Sequence, residues 1–210
     1  MKEAFGSGVG ACFPMNSQVT RRGDGAVSLS NLRVGDEILV SSESGTGLMY
    51  DPVIGFLHWS EETTHSFLNL KNETGGVLKI HKDHLLPVIT KQSTPVYIRA
   101  SDVKAGDQIS MVWVDGSLVN SRVIDVYETL DLGLCCPLTM SGRIIVDSIA
   151  CSCYSPPSNL LPMRISHAMC HTAMGPMRWS FAKSFVPAKR EAGVHPYARM
   201  LMTAATGMIF

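Results

Sequence analysis

Apolar and polar positions alternate in short runs along most of the chain. From about residue 18 to residue 154, stretches rich in Val, Ile and Leu are separated by Gly, Asp, Ser and Asn at fairly regular intervals. That pattern predicts many short strands and few helices, because a two-residue period between turn-formers fits a pleated, half-buried surface. The predicted strands cover 37–41, 52–57, 67–70, 77–80, 84–89, 108–112, 122–127 and 143–146. After Tyr154 the pattern changes: Ser155-Pro156-Pro157-Ser158 reads as a linker, and beyond Asn159 Met and Ala are frequent, which predicts a mostly helical tail. Residues 197–210 are nearly all apolar. They are too few to span a bilayer as a helix, which needs ~20 residues, but suit a membrane interface or an apolar ligand.

An internal repeat organises the strand-rich region. Ser30-Asn31-Leu32-Arg33-Val34-Gly35-Asp36-Glu37-Ile38 matches Ser101-Asp102-Val103-Lys104-Ala105-Gly106-Asp107-Gln108-Ile109, and Val53-Ile54 matches Val123-Ile124 at nearly the same offset. Two copies of one β unit related by a pseudo-twofold axis are therefore expected. In each copy the Gly accepts positive φ and the Asp caps the turn before a strand begins.

Composition narrows the class further. With 210 residues, 45% hydrophobic and 17% charged, the chain can bury a core without a metal or disulfide staple. The formal net charge is zero, yet from Ser155 onward six basic residues stand against Glu191 alone, a +5 tail after a −5 body. No nucleic-acid partner is expected, and the basic tail beside apolar residues fits a membrane surface. The six cysteines show no CxxC and no regular framework, so no metal site is expected. The first residues carry no apolar signal-peptide core, so a secreted protein would include sequence beyond these residues. Asn72-Glu73-Thr74 is a glycosylation sequon.

Three features point to chemistry. Cys12 follows Gly8-Val9-Gly10-Ala11 and precedes Phe13-Pro14, so small residues lead to a thiol. By itself such a cysteine reads as a small buried hydrophobe. His81-Lys82-Asp83-His84 lies about seventy residues later. Histidine can take a thiol's proton or give one to a leaving amine, although this spacing equally suits a metal pair or two surface residues. Cys151-Ser152-Cys153-Tyr154 closes the strand-rich region, placing two thiols on one strand face. Alone it reads as a buried strand end.

Together, Gly10-Ala11-Cys12-Phe13-Pro14, Leu32-x-x-Gly35-Asp36-x-Ile38, His84-Leu85-Leu86, Ile145-Val146-Asp147 and Ser152-Cys153-Tyr154 resemble the C-terminal autoprocessing (Hog, or Hint) domain of Hedgehog proteins. The tail segments at 171–179 and 193–201 are similar to that family's sterol-recognition region. The resemblance implies an all-β Hint (hedgehog/intein) fold with duplicated β subdomains and a mostly helical tail. It divides the chain into an upstream flank (1–11), an autoprocessing domain (12–154) and a sterol-recognition, membrane-associating region (155–210).

The resemblance also implies a reaction. Cys12 attacks the Ala11 carbonyl, the amide becomes a thioester, and a sterol hydroxyl displaces Cys12 to leave the upstream segment esterified. Catalytic roles fall on Cys12, His84, His81, His58 and Cys153, with Ala11 and Cys12 flanking the scissile bond and Trp179, Phe181, His195 and Tyr197 in the sterol region. Three positions depart from the family pattern: His81 stands where it has Thr, His58 where it has an acid, and Ala11 where it has Gly. A neutral imidazole at His58 can still serve as a base near neutral pH. The expected partners are a sterol such as cholesterol as co-substrate, a membrane surface and the chain's own N-terminal segment as acyl donor. No cofactor is expected, and the domain is expected to act as a monomer in the secretory pathway.

Alternatives remain at this stage. Intein splicing needs an Asn at the C-terminal junction, and 150–154 has none. A domain that only hydrolyses its thioester, an inactive lipid-binding module and a trans-acting cysteine protease using Cys12 and His84 are the others.

Overall fold

The alternation in the sequence becomes twelve antiparallel strands among the described residues. The structure, a computed structural model, describes residues 12–89, 95–156, 163–183, 192–196 and 199–200. The first half holds β1 (Gln18–Arg21), β2 (Gly25–Ser28), β3 (Glu37–Ser41), β4 (Leu48–Asn72), β5 (Val77–Ile80) and β6 (Leu85–Ile89). The second holds β7 (Pro95–Arg99), β8 (Gln108–Val112), β9 (Leu118–Thr139), β10 (Arg143–Val146) and β11 (Ile149–Ser152). Helices α1 (Met163–Ala173) and α2 (Gly175–Lys183) and a short β12 (Gly193–Val194) follow.

The strands join in the order β10-β11-β8-β9-β4-β3-β1-β2, with β5 and β12 on β4, and β6 linking β7 to β8. Two long strands form the spine. β4 and β9 pair from Val53↔Thr139 to Asn72↔Val123, with register shifts at 53/55, 56/58, 60/64 and 71/72. Their length differs from the sequence expectation, which placed separate strands at 52–57 and 67–70. The polar stretch Ser60 to Thr64 reads as a loop because most of it is exposed, yet it continues the ribbon as an irregular segment. Strands β1, β2 and β7 are not anticipated, being short and only partly alternating, whereas β11 takes in the start of the buried strand end read at Cys151–Tyr154.

The internal repeat is real at the level of individual hydrogen bonds. Gly35 N–H donates to Val53 O and Gly106 N–H to Val123 O, each at 2.8 Å, while Val53 and Val123 return bonds to Asp36 O and Asp107 O, also at 2.8 Å. Asp36 and Asp107 carboxylates accept from the backbones of Arg33 and Lys104 at 2.9 and 2.8 Å. Both glycines have positive φ, 95° and 102°, as the turn reading required. Equivalent short helical turns, Leu29–Asn31 and Ala100–Asp102, precede them.

Leu32, Ile38, Phe67, Leu70, Leu78, Ile80, Leu85, Leu86, Ile109 and Tyr154 are fully buried. Each such side chain contributes about 1.5–3 kcal/mol of transfer free energy. Asn72 of the sequon is fully buried as well, its Oδ1 accepting from Thr74 and Gly76 to organise the turn after β4. It is a turn residue here.

The tail packs against this body through a ring stack. His167 lies on Tyr97, centroids 3.8 Å apart and planes 13° from parallel, and edge-on to Tyr154. Tyr154 Oη is 3.1 Å from His171 Nδ1, and Arg178 contacts the same imidazole. Met177 reaches Gly55 on β4, where an added Cβ would lie 3.0 Å from its methyl. No helix among the described residues is long and apolar enough to cross a membrane.

Gly142 allows the Tyr154 ring to pack over the β9–β10 turn. Its φ is +72°, and a Cβ there would lie 2.7 Å from two ring carbons. Gly142→Ala is expected to cost about 2–4 kcal/mol, combining left-handed strain with overpacking. Urea unfolding of the variant beside the parent chain measures it; a loss below about 1 kcal/mol would show that Tyr154 yields freely.

Candidate active site

Cys12 is held in the core by its neighbour. Phe13 donates to Cys135 O at 2.9 Å and Cys135 donates back to Phe13 O at 2.8 Å, an isolated antiparallel bridge onto β9. Phe13 is fully buried, and its ring lies against His84 with centroids 4.5 Å apart. An apolar side chain buried at position 13 thus anchors the thiol one residue before it. The Cys12 carbonyl accepts from His81 N–H at 3.0 Å, so the backbone of residue 12 faces the turn between β5 and β6. Ala11 lies outside the described residues.

That turn supplies the histidine. His84 N–H donates to His81 O, and Ala100 N–H to His84 O. The His84 ring is completely buried, and Nε2 lies 2.7 Å from Ser152 O on β11. A carbonyl can only accept, so Nε2 carries the hydrogen and Nδ1 is the basic nitrogen. Nδ1 is buried with no hydrogen-bond partner among the described residues. Burial holds the His84 pKa down to about 3, against a smaller upward pull from Ser152 O and with a further downward push from His81. At neutral pH the imidazole is therefore uncharged.

His58 approaches from β4. Its Nδ1 lies 3.6 Å from Cys12 Sγ, within hydrogen-bond range for sulfur. Burial lowers the His58 pKa too, so it is a neutral base at pH 7. The residue sits beyond the 56/58 register shift, opposite Cys136 on β9 and opposite Val194 on β12. The tail thus reaches the active site by main-chain pairing, with His195 N–H donating to Leu57 O at 2.9 Å.

The remaining expected residues are placed as follows. His81 is partly exposed; its Nδ1 accepts from Asp83 N at 3.4 Å and lies 3.8 Å from the Asp83 carboxylate. Cys153 is buried with its Sγ 3.7 Å from Thr139 Oγ1, and burial raises its pKa to about 12. Trp179 is 64% exposed on α2, and His195 is partly buried beside β4. The Phe181 side chain and Tyr197 lie outside the described residues. No group of three His, Cys, Asp or Glu side chains among the described residues is arranged to hold a metal.

Two neighbours escaped the sequence reading. His65, opposite Asp131 in the ribbon, has a buried Nε2 without a hydrogen-bond partner, and its pKa is lowered by burial and by His58 and His81. Cys136 is 1% exposed, its Sγ 3.8 Å from Cys153 O. Neither stands in a motif; the only sequence signal was the Cys135-Cys136 doublet, which has no spacing relation to Cys12. Cys12 and His58 stand close enough to exchange a thiol proton, and His84 lies buried against the Phe13 ring beside them. That combination suits acyl transfer.

The Hint module family model matches residues 2–209. Protein hedgehog from Drosophila virilis is 30% identical over 187 residues, covering 88% of this chain and 37% of its own length. Tiggy-winkle hedgehog protein from Danio rerio is 32% identical over 206 residues, covering 91% and 47%. The chain therefore spans less than half the length of these relatives. Among solved structures, a DnaB intein from Synechocystis superposes with a TM-score of 0.56 at 14% identity, covering 67% of this chain and 96% of the intein. At that identity the likeness speaks for the fold alone. With the family model spanning nearly every residue, the chain belongs to the Hint module family and is a Hint domain of the hedgehog type.

Proposed function

We propose that this domain cuts its own chain before Cys12 and transfers the upstream segment to a sterol hydroxyl. The observation that carries the reading is the Cys12 thiol 3.6 Å from a neutral His58 Nδ1, beside a buried His84 whose own Nδ1 is unpartnered. The Cys12 sulfur attacks the Ala11 carbonyl carbon, and its proton passes to His58. As the C–N bond breaks, the residue 12 nitrogen becomes an amine and gains a proton. The residue 12 carbonyl accepts from His81 N–H, and on this reading the thiol's proton passes from His58 by way of the basic His84 Nδ1 to that nitrogen, which leaves His58 neutral again for the second step. With a pKa near 3, an imidazolium there gives up its proton readily.

In the second step the alcohol oxygen bonds to the thioester carbon, the C–S bond breaks and His58 takes the alcohol proton, returning it to the Cys12 sulfur. A thioester is a better acyl donor than an amide, so one difficult step becomes two easier ones. Support for a sterol comes from the hedgehog-type relatives and from the tail, whose β12 pairs beside His58 and whose Trp179 is exposed. On this reading His81 and Cys153 shape the pocket, residues 1–11 end the acyl donor, and residues 155–210 gather the sterol from a membrane surface. The setting is the secretory pathway, and the domain acts as a monomer.

Mass spectrometry of the protein incubated with dithiothreitol, with cholesterol in detergent, and with neither tests the reaction. Cleavage between Ala11 and Cys12 is expected with thiol, and residues 1–11 carrying a sterol ester with cholesterol. Cys12→Ala should stay intact, and an intact wild type under every condition would refute the proposal. His58→Ala is expected to slow sterol transfer by about 100-fold, the range for loss of a positioned base.

His84 also ties stability to pH. Its folded pKa is depressed from 6.5 to about 3, so its contribution is present above pH 6.5 and is lost as pH falls toward 3. Urea unfolding in the Cys12→Ala background should show about 2 kcal/mol more loss between pH 7 and pH 5 than in the same background with His84→Gln. Equal losses would mean His84 is hydrated in the folded state.

A further inference from the structure

Where the tail meets the body, two imidazoles are packed so that neither takes a proton without loss. His167 on α1 lies over Tyr97 of β7, centroids 3.8 Å apart, and its Nε2 is buried with no hydrogen-bond partner among the described residues. One turn later His171 stands parallel to it, centroids 6.4 Å apart. Arg178 Nη1 of α2 lies against both His171 ring nitrogens, and Tyr154 Oη is 3.1 Å from Nδ1. A guanidinium can only donate, so the ring must offer it a lone pair, which an imidazolium no longer has. The charges acting on the stack are Arg143 of β10, Arg178 of α2 and, pulling the other way on His171, Glu43. Arg99 lies two residues beyond Tyr97 on the same strand. Burial raises the pKa of Tyr97, Tyr154, Cys153 and Cys170, so these neighbours stay uncharged. Burial first, then His171 and Arg143, brings the His167 pKa down to about 4, and burial, then Arg178 and Arg143, lowers that of His171. The Tyr97 face attracts a cation, but Nε2 at the ring edge has lost its water with nothing in return. The stack is also joined to the frame of the candidate active site: Tyr154 O accepts from Leu85 N–H at 2.9 Å, and Ser152, two residues earlier, holds His84.

We propose that His167 and His171 form a proton-released latch that decides whether the tail can deliver its alcohol. With both rings neutral, α1 stays on the body and the tail stays beside His58. Protonation frees α1 and stops sterol transfer, while cleavage by a small thiol, which needs no tail, continues. The effect on transfer rests on the acyl-transfer reading; the latch itself rests on the packing. Both rings stand edge-on to Tyr154, so release of one loosens the other. A ring freed into water recovers the ordinary value of 6.5, so the stability of the latch is present above pH 6.5 and is lost as pH falls toward 4.

Hydrogen exchange of the full chain, without thiol or sterol, reads the latch once the intrinsic pH dependence of exchange is divided out. Amides of 163–173 should lose at least about tenfold in protection between pH 7 and pH 5 relative to those of β9. His167→Phe keeps a flat ring for Tyr97 and cannot be protonated; with His171→Gln added, the loss should shrink to under about threefold. NMR titration of the wild-type histidine rings needs no variant and should show His167 and His171 titrating below 6.5 in step with the exchange. Wild-type protection that stays level over this range, a double variant that loses it as wild type does, or two rings titrating at 6.5 or above overturns the proposal. For transfer, the ratio of sterol ester to dithiothreitol cleavage should fall at least about tenfold from pH 7 to pH 5.5 in wild type and hold in the double variant. A wild-type ratio that holds at pH 5.5 overturns the link between latch and transfer. If no ester forms at pH 7, the acyl-transfer reading falls, while exchange still decides the latch.

Discussion

Two backbone hydrogen bonds between Phe13 and Cys135 decide where the reactive end of the domain lies. They fix the strand that carries Cys12 against β9, and burial of the Phe13 ring beside His84 makes their loss costly. Everything near the thiol is referred to that clamp. The His81 turn meets the residue 12 carbonyl, His58 reaches the sulfur from the next strand over, and Cys136 stands opposite His58 in the ribbon. The site is assembled from four separate stretches of chain, and the clamp brings the first of them to the other three.

The rest of the fold serves to hold those stretches in register. Each half of the duplicated body closes on an equivalent Gly-Asp turn, and β4 and β9 cross between the halves as one ribbon. His58 sits on that ribbon and Ser152, which fixes the His84 tautomer, closes the second half. The surroundings of His58 and His84 therefore draw on both halves. The tail is tied in at several points, among them the Tyr97–His167 stack and β12 on β4, so residues far along the chain return to the neighbourhood of Cys12.

Much of this was legible in the sequence because it is written locally. The repeat of Gly35-Asp36 in Gly106-Asp107 announced two equal turns, and strands such as Glu37–Ser41 and Gln108–Val112 follow directly from alternation. The continuity of β4 was not legible, since Ser60 to Thr64 are polar and a solvent-facing ribbon looks like a loop in one dimension. Among site residues, the thiol and the His81–His84 turn stood in recognisable surroundings. Cys136 did not, because what gives it meaning is a cross-strand register that no local spacing encodes. The same holds for Asn72, which the sequence marks only as part of a sequon and which is closed inside a turn.

The register shift between Phe56 and His58 carries a consequence for how this domain tolerates change. Side chains on a strand alternate between faces, so removing or adding one residue between Val53 and His58 would exchange the two faces of the ribbon there. The imidazole would turn away from the sulfur, and Trp59 after a deletion, or Leu57 after an insertion, would be driven into its place. Spacing in this segment is thus as strict a requirement as residue type: a substitution elsewhere on the strand leaves His58 aimed at the Cys12 sulfur, whereas a single-codon insertion or deletion re-aims the strand while leaving both residues present.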